Sequence, residues 1–138
     1  MTTRITYLSR IAYLAFALLF VAGILFQVFL VGLGLFAGQL TWSTHVGFGH
    51  WLGIAPFLLV ILSFVGRLPR SEKWLAGSLF GVFLFQAEVF AAIRHLAPLL
   101  AALHPVLALV LFATGVLVAQ RARARLREPL EINPGAIK

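Results

Sequence analysis

The chain contains no cysteine among its 138 residues. Disulfides, iron–sulfur clusters, thiolate zinc and thiol catalysis are therefore excluded. Charge is scarce as well: Asp, Glu, Lys and Arg make up 11% of the residues, against roughly a quarter in soluble domains. A nucleotide-binding glycine loop, a hydrolase motif and a polar domain able to capture a soluble substrate are all missing. The net charge of +7 would suit a nucleic-acid partner, but the basic residues stand at the ends of apolar runs. That placement is a membrane pattern and argues against nucleic acid.

What is present is hydrophobic. Apolar residues account for 62% of the chain, mean hydropathy is +1.02, and there are 13 phenylalanines. Four apolar runs, over residues 11–36, 44–65, 74–93 and 98–119, each reach the ~20 residues that cross a bilayer. In lipid the backbone must satisfy its own hydrogen bonds, and no strand-like alternation is visible, so each run is expected to be a helix. Residues 1–23 have the Arg4/Arg10 start and apolar core of a signal peptide. However, the apolar run continues past Gly23 without a polar break, so it is read as a mature helix.

Arg4 and Arg10 precede the first run, Arg67, Arg70 and Lys73 lie between the second and third, and Arg121, Arg123, Arg125, Arg127 and Lys138 follow the fourth. Only Arg94 falls on the other side. The positive-inside rule then puts both termini in the cytoplasm. The expected fold is all-α: a polytopic, up-down-up-down four-helix transmembrane bundle over residues 1–121 in a bacterial plasma membrane. Residues 122–138 form a basic cytoplasmic tail, read as a topology signal, with contact to anionic lipid as the alternative.

The stretch TWSTHVGFGHW at 41–51 holds two of the four histidines. His50 opens the second run as His104 opens the fourth, and an arginine follows each after 17 residues, Arg67 and Arg121. LFQVF at 25–29 resembles LFQAE at 84–88, a weak repeat of two helical hairpins. At 1.5 Å per residue, His50 and His104 lie about 25 Å from their arginines, Gln27 about 24 Å above Ile11 and Glu88 about 21 Å above Trp74. These four side chains occupy one slab near the outer surface.

Helical period assigns faces. Gly77, Gly81, Leu84, Glu88, Ala92 and His95 share one; so do Gly23, Gln27, Gly34 and Gly38, and likewise His104, Ala108, Leu111 and Gly115. Small-x-x-x-small pairs at Gly34/Gly38 and Gly77/Gly81 allow close approach of helices or of a flat ligand. The stripe through His50 differs, with Ile54, Phe57 and Ile61. The polar groups are expected to face the bundle interior. A charged carboxylate such as Glu88 costs about 2.5–3.5 kcal/mol near the bilayer centre. It is either a protonated group bonded to Gln27 or His95, or a proton-handling or ligand-contacting one. Arg94 is expected to reach headgroups, and Gln86 to point away from Glu88.

In such a bundle helices two and four are diagonal. Imidazoles at one depth on them, His50 and His104, are placed to hold a flat macrocycle through axial nitrogens on iron. His45 lies about 140° round the helix from His50. It and His95 are read as second-layer groups, propionate contacts or interface residues.

LFQVFLVGLG, then GHWLG, then LFQAEVFAAIRHLAPLLAALHPVLAL together resemble one four-helix half of the heme A synthase family, across residues 25–119. The resemblance implies heme held by one histidine on each even-numbered helix, here His50 and His104, with Gln27, Glu88 and His95 around it. The chain has four helices where that family has eight, and its first outer loop lacks the family's acidic residue and cysteine pair. The resemblance therefore implies a heme-carrying bundle like small b-type membrane cytochromes, not a synthase. It extends to small four-helix membrane proteins of bacteria in general.

The leading reading is a heme b protein for electron transfer, heme handling or redox sensing, more a carrier than an enzyme. Membrane lipids, a quinone, a redox subunit and further copies of the chain are its candidate partners. The alternative is a non-redox accessory or assembly subunit of a larger membrane complex. A third is a divalent-metal or proton site built from His45, His50, His95, His104 and Glu88.

Overall fold

The computed structural model describes residues 2–38, 42–93 and 95–127, without the side chains at 2, 3, 90 and 91. Arg94, Lys138 and most of the expected tail lie outside them. The described residues form four helical segments. Segment one is α1 (Thr2–Gly32), closed by a π turn at Leu33–Ala37. Segment two is α2 (Trp42–Leu52) and α3 (Ile54–Val65). Segment three is α4 (Arg70–Leu84), a π turn at Phe85–Val89 and α5 (Phe90–Ile93). Segment four is α6 (Pro98–Ala101) and α7 (His104–Arg127). Three stretches are long and apolar enough to cross a membrane: Arg4–Ala37, Trp42–Val65 and Pro98–Arg127. Segment three carries Arg70, Glu72 and Lys73 at its start and Glu88 near its far end.

α1 packs on α3 and α7, and α4 packs on the same two helices. The segments therefore follow one another round a ring, with one and three on one diagonal and two and four on the other. Each contributes a seam of inward residues at alternating three- and four-residue steps, the spacing that keeps one narrow face of a helix on its neighbours. The seams run through Tyr13, Ala17, Phe20 and Ile24; Leu52, Pro56, Leu59 and Ser63; Ala76, Leu79 and Phe83; and Leu111, Gly115, Val118 and Ala122. Phe20 meets Phe83 edge-on across the core, ring centres 6.0 Å apart. The outside is as apolar as the inside: Leu19, Phe29, Trp51, Phe64, Trp74 and Leu109 are all more than half exposed.

One register relates the two halves. Tyr13, Phe20, Ile24, Leu52, Leu59 and Ser63 correspond to Glu72, Leu79, Phe83, Leu111, Val118 and Ala122, each pair 59 residues apart. LFQVF and LFQAE share this offset, so the hairpin repeat is regular inside the core.

Glycines mark close contacts in a subset of the expected places. A Cβ on Gly115 would stand 3.1 Å from Phe20 and Val21, and one on Gly23 would collide with Leu52. Gly77 and Gly81 have nothing within 4 Å. Their stripe lies outside the seam, because Ala76, Leu79 and Phe83 fill the interior instead.

Polar contacts fasten the end where α1 begins. Arg10 Nε donates to the Gly66 carbonyl at 3.0 Å, tying α1 to the turn before α4. Arg125 Nε donates to Glu72 Oε1 at 2.8 Å, with the Glu72 side chain 4% exposed and that of Arg125 34%. α7 continues to Arg127, so Arg121, Arg123, Arg125 and Arg127 sit on the helix end.

Removing one partner of a buried pair leaves an uncompensated charge and costs about 3–5 kcal/mol. Arg125→Ala strands the carboxylate and should approach that cost, whereas Glu72→Ala leaves a guanidinium that water can reach and should cost less. Equal losses on unfolding in detergent would refute this asymmetry. By the same assay, Gly115→Val should lose about 1–3 kcal/mol through overpacking, with Gly77→Val close to wild type.

Candidate functional site

At the far end, the four seams each end on a polar side chain, and the four converge. They are Gln27 from segment one, His45 from two, Gln86 from three and His104 from four. Glutamines stand on one diagonal and histidines on the other. The 59-residue register relates Gln27 to Gln86 and His45 to His104.

Gln27 Nε2 donates to the His45 carbonyl at 3.0 Å. Gly49 makes room for it, since a Cβ there would come within 2.7 Å of that nitrogen. The His45 ring lies against the Gln27 backbone, and the His104 ring correspondingly against the Gln86 backbone. His45 stacks on Trp42 with ring centres 4.9 Å apart. The two imidazoles meet with ring centres 6.1 Å apart and planes at 68°. Gln27 Oε1, His45 Nδ1 and Gln86 Oε1 are buried without a hydrogen-bond partner among the described residues, as is Glu72 Oε2 at the opposite end. Such atoms are costly to bury.

The site residues expected from the sequence divide into two groups. Gln27 and His104 lie in this cluster. His50 does not: its seam neighbours Ile54, Phe57 and Ile61 are all exposed, and it opens between α3 and α4. Its Nδ1 lies 2.8 Å from the Val46 carbonyl and its Nε2 3.7 Å from Glu88 Oε1. The side chains of His50 and Glu88 are 59% and 63% exposed. The expectation that both face the interior is thus corrected, and the reason is phase. Counting back from Ser63 through Leu59, Pro56 and Leu52 along the seam reaches Gly49 and His45, and passes His50 by. Likewise Phe83 leads to Gln86, which is buried, while Glu88 two residues on faces out. His95 is exposed in the turn before α6.

By sequence, His45 was given only a secondary role, and Gln86 and Glu72 were not selected as site or anchoring residues. The signal for the first two was present: carrying the LFQ offset of 59 forward from Gln27 gives Gln86, and carrying it back from His104 gives His45. Glu72 could have been singled out as an acidic residue in a basic connection.

Residues 27–92, just under half of the chain, match a protein family described as a family of unknown function, DUF6220. The match takes in Gln27, His45 and Gln86 and stops short of His104. Neither a curated protein nor a solved structure matches the chain.

Proposed function

We propose that this is an integral membrane protein that binds heme b between His45 and His104, for electron transfer, heme storage or redox sensing. The observation that supports the reading is the meeting of these two imidazoles from diagonal segments, each beside the glutamine of the preceding segment.

The donor set also fits heme better than a bare ion. A structural ion site takes about four protein ligands, and the described residues hold no group of three or more His, Cys, Asp or Glu placed for a metal. A porphyrin brings its own four nitrogens and asks the protein only for axial ones. When bound in this way, heme supplies one-electron transfer without an open coordination position. The chain's part is to orient both imidazoles, to exclude water with the apolar seams below them, and to offer the unpartnered Gln27 and Gln86 oxygens at the same level.

The reading includes a membrane orientation. All four segments cross the bilayer and both termini are cytoplasmic, which is supported by the gathering of Arg4, Arg10, Arg67, Arg70, Lys73 and Arg121–Arg127 at one end. The cysteine-free sequence makes this testable: single cysteines at position 2 and at position 138 should react with membrane-impermeant maleimide only after lysis, and one at position 40 in intact cells. Labelling of either terminus in intact cells would overturn the orientation.

Protein purified from heme-replete membranes should show a Soret band that sharpens on reduction. His45→Ala and His104→Ala should each remove it or leave it high-spin, while His50→Ala should leave it unchanged. A colourless protein, or a spectrum indifferent to His45 and His104, would end the heme reading.

A further inference from the structure

The His50–Glu88 pair lies outside the histidine–glutamine cluster and heads a separate groove. A cavity of about 270 Å³ opens between α3 and α4. Gly53, Phe57, Phe80 and Phe83 line it below the pair, with the Phe57 and Phe80 ring centres 5.7 Å apart. Gly53 is needed for this shape, since a Cβ there would stand 2.7 Å from the Phe83 ring. The floor is apolar and aromatic; the head is an imidazole and a carboxylate.

The hydrogen-bond arithmetic at the head is one-sided. A carbonyl only accepts, so the 2.8 Å contact with Val46 fixes the proton on His50 Nδ1. In the neutral ring, Nε2 then presents a lone pair towards Glu88 Oε1. At 3.7 Å the two are too far apart for a direct hydrogen bond, which needs about 2.7–3.2 Å. A hydroxyl has one proton, so a hydroxyl beside the pair donates to Glu88 Oε1, and it accepts from Nε2 when the ring is charged.

We infer that this groove binds a planar, lipid-soluble aromatic alcohol of the hydroquinone type, with its hydroxyl beside His50 and Glu88 and its ring against Phe57 and Phe80. The hydroxyl donates to the Glu88 carboxylate and the flat ring answers the paired phenylalanines, which favour offset or edge-on aromatic contact. The groove's opening on the apolar exterior admits such a molecule sideways from lipid. Binding alone is assigned. The inference goes beyond the heme reading and does not rest on it, since neither His45 nor His104 lines this groove.

The test uses the full chain in lipid nanodiscs and equilibrium dialysis under anaerobic conditions with three radiolabelled probes: a short-chain prenyl hydroquinone, its dimethyl ether, and dodecanol. The hydroquinone should bind at least tenfold more tightly than either of the others. Glu88→Leu and His50→Leu should each erase that preference. Both side chains are exposed, so the thermal midpoint of each variant should match wild type and show that the fold persists. Equal binding of hydroquinone and ether overturns the hydrogen-bond assignment, equal binding of dodecanol overturns the aromatic one, and a preference that survives Glu88→Leu overturns the site. Any Soret band should be the same in wild type and both variants, so failure here and failure of the heme reading are read separately.

Discussion

The interior depends on one rhythm: each helix keeps a single narrow face on its neighbours, and that face advances by threes and fours. The seams decide which side chains are inside far more strictly than depth or composition does. They admit Tyr13, Phe20, Leu59, Leu79 and Leu111. They also decide that His45 is inside while His50, five residues on, is not. Between helices in a surrounding as apolar as themselves, attraction comes from packing and from polar contacts more than from removal of water. The fit at Gly23, Gly53 and Gly115 is therefore a main source of cohesion.

Polar groups occur at both ends of this seam and are handled differently. At the basic end, Glu72 meets Arg125, and Arg10 reaches the Gly66 carbonyl. Those contacts join segments one, two, three and four across their connections. At the other end the polar groups are amides and imidazoles, partly satisfied by each other's backbone and partly left open. The basic end is held by charge-assisted contacts, although Glu72 Oε2 is left unpartnered there too, and the far end by neutral groups.

Much of the architecture was legible in the sequence, because run length, charge placement and short connections all point to a four-segment helical ring. The seam of segment four was legible in Leu111 and Gly115, whereas in segment one Gly23 and Gln27 face the bundle but Gly34 and Gly38 of the same stripe are exposed. Segments two and three were misread for a physical reason. Glycines at Gly77 and Gly81 were taken to mark the packed face, yet small residues also occur on an open face, and here bulky Leu79 and Phe83 fill the core. His50 was chosen over His45 by resemblance, by pairing with His104 and by its distance to an arginine, and that distance measures height along a helix and carries no information about direction. The 59-residue repeat does carry it, since equivalent positions in two halves share a facing.

The π turn at Phe85–Val89 has a consequence for how this end of the molecule can change. Such a turn is what a helix becomes when it takes up one residue more than its hydrogen-bond ladder has room for. Its counterpart in genetic terms is an insertion, not a substitution. Removing Ala87 would restore regular winding and leave the helix beyond facing as before, while Glu88 moves one position towards Gln86. A single-codon deletion here thus re-aims the head of the outward groove and leaves Gln86 anchored to the seam through Phe83.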